Sequence, residues 1–351
     1  MTGSEDFPRG PGSDSRFSAA RVREANTRRR FRFGAVVFAL VIAAVGAYLV
    51  LRPAIGKSAD WAVRIDGETV LTLGDLATVV AFEAEARGTS ELFDLTTVPF
   101  EVLHDAVETE LVGRIAFNLG VTVLEEQIDT ELAGLFLPDA ALPLDEQDRR
   151  IFEEIYRSFL NRSGVSAKFY EDLVLAQLLR SEVKQILGMS QFADERLHME
   201  ISWIVLDPEH PDPFGVAEAV RFGADFSKAA QALSVDAVFA VDTGLPGYVG
   251  WVPRGAFPEL DDELFGPQAF APGTIIGPVF TLDAVIIIEV IDGPTSRLVA
   301  PGPLQGRIQQ VALDAKIAEE RMKVSVEFNL DSANYDWVVS EVLDSQPRSP
   351  R

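Results

Sequence analysis

The sequence predicts an α+β protein with a single N-terminal transmembrane helix, a mostly helical domain, and a small antiparallel sheet with helices. Three observations carry this. Phe33 to Leu51 runs for 19 residues without a charged side chain. From about residue 61 to 197, apolar residues recur at helical spacing in segments punctuated by Gly and Pro. Beyond residue 198 strand-like runs take over, ending in Val285 to Ile291, which is apolar on both faces as a central strand is.

At ~1.5 Å rise per residue, the stretch 33–51 would span roughly 28 Å as a helix, close to a bilayer's hydrocarbon core. Arg28, Arg29, Arg30 and Arg32 crowd its front edge, while only Arg52 and Lys57 follow closely. Basic residues stay on the cytoplasmic side, so the reading is a single-pass cell (inner or cytoplasmic) membrane protein, N-terminus cytoplasmic and bulk extracytoplasmic. A cleaved signal peptide is the competing reading. Its apolar core is usually shorter and ends in a small-x-small site, and neither feature fits well.

Residues 1–33 hold eight Arg and four acidic residues, so the part beyond carries 23 basic and 50 acidic residues, a net charge of −27. Such a surface repels nucleic acid, which is excluded as a partner. The 351-residue chain contains no Cys, which removes disulfides, thiolate chemistry and lipid attachment at Cys.

Taken in order, residues 1–32 read as a disordered basic tail, 33–51 as the membrane helix in contact with the lipid bilayer, and 53–60 as a linker. Trp61, Val63 and Ile65 alternate with polar positions, and Asp66-Gly67 is a two-residue hairpin turn. Thr72 is placed to cap a helix ending near Arg87. Pro99 opens the next helix, with a stripe at Leu103, Val107, Leu111, Ile115 and Leu119, and Gly120 closes it. Thr122 to Glu125 has capping-box spacing for a helix carrying Leu124, Ile128, Leu132 and Leu135. Two further helices follow, one with Ile151, Ile155, Phe159 and Leu160 and stopped by Gly164, the other capped by Ser166. Together they make a helical domain over 61–197. After it come a strand at Met199 to Asp207, one helical stretch from Phe214 to Leu233, a Gly-rich turn, a short strand at Trp251, a helix at Glu259 to Phe265 and strands around Gly277 to Phe280 and Val285 to Ile291. This α+β module covers 198–292. Residues 293–344 supply C-terminal helices packing on the first domain, and 345–351 a disordered tail.

The hairpin with the helices after it, LHDAVETELVGRIAFNLGVTVLEEQIDTEL, and the later stretch FLNRSGVSAKFYEDLVLAQLLRSEVKQIL resemble the N-terminal chaperone domain of SurA-type foldases. Phe222 to Asp236, Gly247 to Gly255, Pro258 to Phe265 and Pro272 to Thr281 resemble a parvulin-type peptidyl-prolyl isomerase domain. Over residues 61–292 the nearest kind is the SurA-like and PpiD-like membrane-anchored folding factors. The resemblance implies a parvulin-like antiparallel sheet, unfolded or proline-containing exported polypeptides as partners, and no cofactor or metal.

Several matched positions depart from the family. Where parvulins carry Ser-His-Ile-Leu-Val, this chain has Ser202-Trp203-Ile204-Val205-Leu206, and the second His position is Ile286. Asp236 matches the Cys-or-Asp position and is the retained catalytic candidate. Tyr248 replaces the Asp of a Gly-rich turn. Ala256 and Leu260 stand where Met and Phe hold the substrate proline, with Phe257 close by. The resemblance thus makes Trp203, Phe257, Leu260, Phe265 and Ile286 the substrate-binding candidates; Trp203, Leu260 and Ile286 read equally well as sheet core. His104, His198 and His210 show no ligand spacing, and no metal site is expected.

Trp offers one hydrogen-bond donor and Ile none, so the polar network implied by the two His is missing. The expected function is a membrane-anchored extracytoplasmic chaperone or foldase with weak or lost prolyl isomerase activity. An active isomerase is the alternative, and a membrane-tethered scaffold for one folded partner is the second.

Overall fold

The computed structural model describes residues 56–87, 95–192, 194–236, 238, 245–267 and 270–345. Among them no helix is long and apolar enough to cross a membrane, and the expected span at 33–51 lies outside the described residues. The described fold thus lacks the expected transmembrane helix. The expected single-pass membrane localisation, with cytoplasmic N-terminus and extracytoplasmic bulk, and the bilayer as a partner lose the helix on which they rested. The α+β class with antiparallel sheets stands.

The chain forms two compact units. One contains the described residues up to Ser181 together with those from Glu320 onward, and the other runs from Glu182 to Glu319.

In the first unit, β1 (Trp61–Ile65) and β2 (Glu68–Thr72) form the expected hairpin, with Asp66 and Gly67 both at positive φ. The Asp66 carboxylate accepts from Arg114 Nη1 at 2.7 Å and from the Ser325 amide at 3.0 Å, and these contacts hold its pKa below the usual carboxylate range. A third strand, β7 (Val326–Phe328), pairs antiparallel on the other side of β1. Helix α1 (Leu73–Arg87) begins with Thr72 as its cap. The Thr72 hydroxyl accepts from the Asp75 amide at 3.2 Å and donates to the Asp75 carboxylate at 2.6 Å.

Helix α2 (Val98–Leu119) ends at Gly120 in the left-handed region, φ 69°. Leu103, Val107, Leu111 and Ile115 of its stripe are buried, but Leu119 is exposed. Helix α3 (Glu125–Phe136) starts two residues later than a Thr122 cap requires. Gln127 Oε1 accepts from the Leu124 amide at 2.8 Å, and Leu124 itself is left exposed. Helix α4 (Glu146–Ser163) is capped by Asp145 and stopped by Gly164, and Ser166 caps α5 (Ala167–Met189).

An aromatic cluster joins four of these helices. Phe82 of α1, Phe136 of α3, Phe159 of α4 and Tyr170 of α5 meet edge to face, with Phe159 and Tyr170 centroids 4.9 Å apart and Phe136 and Phe159 5.2 Å apart. Each such pair adds ~0.5–1.5 kcal/mol to the area it buries. Burial raises the Tyr156 and Tyr170 hydroxyl pKa values well above the ordinary phenol range. Helix α9 (Pro303–Arg321) runs to the end of the second unit, and the chain then returns to the first, where α10 (Ser332–Ser345) lies against α1 and buries Val338 and Val342.

The second unit is built on a four-stranded antiparallel sheet in the order β4-β3-β6-β5. Its strands are β3 (Arg196–Leu206), β4 (Tyr248–Pro253), β5 (Ile275–Phe280) and β6 (Val285–Arg297), so the apolar run at 285–291 is central as expected. The expected helical stretch 214–233 is two helices, α6 (Pro213–Arg221) and α7 (Phe226–Leu233). Gly223 at φ 101° breaks the run, and Asp225 caps α7 by accepting from the Lys228 amide at 3.0 Å. Side chains alternate across the sheet. Ile204, Leu206, Val285 and Ile287 pack under α6 and α7, while Ile201, Trp203, Ile286 and Ile288 pack on the opposite face.

Candidate functional site

The candidate site lies on that second face. Period-two alternation sends Ile201 and Trp203 of β3 to the same side as Ile286, Ile288 and Val290 of β6. In the β3–β6 register Trp203 stands opposite Ile288 and Val205 opposite Ile286, which makes Trp203 and Ile286 near neighbours. Gly247 makes the bend into β4 possible. Its φ is 79°, its carbonyl accepts from the Trp203 amide at 2.7 Å, and a Cβ there would meet the Trp203 carbonyl oxygen at 2.7 Å.

The segment after β4 folds over this face. Phe257 and Leu260 descend onto the strands, followed by Leu264 on the short helix α8 (Asp261–Phe265). Asp261 Oδ1 accepts from the Gly255 amide at 2.9 Å and closes the turn. Arg307 of α9 fixes the segment from outside. Its Nε donates to the Ala256 carbonyl at 3.2 Å, its Nη2 reaches Glu259 at 3.4 Å, and its guanidinium lies 5.5 Å from the centre of the Phe257 ring.

The Trp203 and Phe257 rings meet edge to face at 5.1 Å. The indole Nε1 of Trp203 donates to Asp236 Oδ2 at 2.8 Å. Asp236 Oδ1 accepts from the Val238 amide at 2.8 Å, so both carboxylate oxygens hold a donor. Ser234 sets the approach of this segment to β3, its Oγ accepting from the Val205 amide at 3.1 Å while the Val235 amide donates to the Val205 carbonyl at 2.8 Å.

All six candidates named from the sequence thus come together in one place. Trp203, Phe257, Leu260 and Ile286 are buried members of one apolar cluster, Phe265 packs on it half-buried, and Asp236 is tied to its edge through Trp203. Arg307 belongs to the arrangement and is not signalled by the sequence, since it lies on a helix far downstream. On the opposite face Tyr248 turns away from this cluster and donates to Glu200 Oε1 at 2.6 Å, which raises its hydroxyl pKa. Burial, with Asp225 nearby, likewise raises the Glu289 carboxyl.

Chemically, the face is a closed apolar wall with the Asp236 carboxylate held at its margin by Trp203. A side chain entering from outside would have to displace either the Trp203–Phe257 contact or the segment pinned by Arg307.

No protein-family model matches the chain, and no curated protein matches it. Among solved structures it is similar to a peptidylprolyl isomerase, PrsA, from Bacillus anthracis: 15% identity over 68% of this chain and 94% of that one, TM-score 0.32. It is also similar to the foldase protein PrsA from Streptococcus pneumoniae, with 12% identity over 81% and 93%, TM-score 0.30. A structure reported among SurA-like chaperones of Campylobacter jejuni matches with 12% identity over 77% and 99%, TM-score 0.25. Similarities at these TM-scores are no basis for assigning a function.

Proposed function

We propose that the protein is a folding factor that binds unfolded polypeptide segments, and that its sheet module has weak or lost prolyl isomerase activity. The observation that carries this reading is the corner between α2 and α3. There Phe117 is 85% exposed and Leu124 is 63% exposed, with Leu119 also open. Exposed apolar side chains grouped on an otherwise strongly acidic chain offer contact area to unfolded segments, while the charge keeps the carrier soluble.

The isomerase part follows from the sheet face. Rotation about a peptide bond faces a barrier of ~18–20 kcal/mol, and a protein lowers it by holding the proline ring and favouring the twisted amide. Leu260 is fully buried, and the Trp203 indole is in contact with Phe257 and hydrogen-bonded to Asp236. In this arrangement Trp203 and Phe257 occupy each other, and the Asp236 carboxylate is already engaged. The retained Asp236 beside an aromatic wall favours the second reading, an active parvulin-type isomerase.

Proline-limited refolding of a test protein separates the two. With the full chain present, refolding proceeds at its uncatalysed rate while aggregation of the unfolded test protein slows. Acceleration that scales with protein concentration and disappears in Asp236→Asn would replace the first reading by the second.

A further inference from the structure

Helix α6 lies beside the edge strand β5, and together they present a second exposed apolar surface, separate from the Trp203 face. The Phe214 and Phe280 rings pack on each other at 5.8 Å, yet remain 61% and 59% exposed. Leu282, in the turn from β5 to β6, is 97% exposed. Two rings held together but left open form a preset contact surface, since little side-chain freedom remains to be lost on binding.

The charges at the Phe214 and Phe280 end of this surface are acidic. Asp207, Glu209 and Asp212 lie on the exposed connection from β3 to α6, and Asp283 follows Leu282. Leu206 pairs with Val285, so Asp207 and Asp283 share one end of the sheet, the end at which Phe280 finishes β5. Arg221, at the far end of α6, is turned to the Gly277 carbonyl.

We infer that this aromatic and acidic surface binds polypeptide segments in which apolar side chains alternate with Lys or Arg. The rings take the apolar side chains, and Asp207, Asp212 and Asp283 pair with the cations beside them. The inference rests on the folding-factor reading and adds to it a class of client sequence.

A labelled synthetic peptide alternating Leu and Arg, titrated with the full chain and followed by fluorescence anisotropy, tests it beside the same peptide with Glu in place of Arg. The Leu/Arg peptide binds, the Leu/Glu peptide does not, and added salt weakens the complex. The double variant Phe214→Ser/Phe280→Ser weakens binding by about tenfold or more, as loss of central aromatic anchors does. Asp207→Asn/Asp283→Asn weakens it less and reduces the salt dependence. All four positions are exposed, and an unchanged circular dichroism spectrum confirms the fold. Equal binding of the two peptides, no binding of either, or full binding by Phe214→Ser/Phe280→Ser overturns the inference. If the unmodified chain still slows aggregation of an unfolded protein, that failure is confined to this surface; if it does not, the folding-factor reading itself is lost.

Discussion

On the sheet, Trp203 and Phe257 meet at 5.1 Å beneath a segment that Arg307 holds in place. At the corner between α2 and α3, Phe117, Leu119 and Leu124 project from the ends of two helices with no such cover. Both regions are rich in large apolar residues, so composition does not distinguish them. What differs is the supply of a covering element. The sheet face has the segment 254–265 and α9 to close it. The corner lies where Gly120 ends one helix and the next begins after a five-residue connection, too short to fold back over the helix ends. An apolar surface becomes core or contact surface according to whether the chain can return over it.

The first way to break this comparison is to cut into the sheet face. Trp203→Ala is expected to cost ~3–5 kcal/mol and Leu260→Ala ~2–5 kcal/mol in chemical denaturation, as buried large-to-small changes do. A cost below ~1 kcal/mol at Leu260 would mean that this face is open, and the contrast with the corner would vanish.

A gentler change sharpens the same point. Trp203→Phe keeps the ring against Phe257 but removes the Nε1 donor and leaves Asp236 Oδ2 without it. The expected loss is ~1.5–3 kcal/mol, typical of a hydrogen bond to a charged group.

Titration separates the packed part of α2 from its open end. Burial, reinforced by Glu108, pushes the Asp105 carboxyl up to about 6, against an ordinary value of 3.8. The folded state therefore holds this proton more tightly, and stability falls as pH rises from about 4 through 6. Asp105→Asn, which imitates the protonated acid, should be the more stable protein at pH 8 by roughly 1–2 kcal/mol once solvent screening is allowed for, and lose that advantage near pH 4. His104, Glu101 and Glu108 on α2 and Arg180 on α5 are the other charged groups acting on it, so the titration is followed at fixed salt.

The smallest effect on stability belongs to the corner. Phe117→Ser/Leu124→Ser should alter denaturation by no more than ~0.5 kcal/mol per site, because both side chains already face solvent.

Features set by single residues in local turns are legible in the sequence. Asp66-Gly67 makes its hairpin, Gly120 and Gly164 stop their helices in the left-handed region, and Thr72, Ser166 and the central strand from Val285 stand where the pattern puts them. Features that depend on tertiary contact are not. The meeting of Phe82, Phe136, Phe159 and Tyr170 needs four helices brought together, and no spacing within one helix announces it. Among local features Gly223 is an exception: it breaks the run between α6 and α7, but continuous apolar periodicity hides it. At the candidate site, strand alternation is enough to bring Trp203 near Ile286, whereas Arg307 arrives from a separate helix through backbone contacts that side-chain patterns do not encode.

Light scattering of an aggregating unfolded protein, recorded with the full chain, with Phe117→Ser/Leu124→Ser and with Trp203→Phe, tests the central claim most directly. The full chain and Trp203→Phe should both slow aggregation at several-fold excess, and the corner variant should lose most of that effect while remaining folded. Full protection by the corner variant, or none by the unmodified chain, would contradict the account.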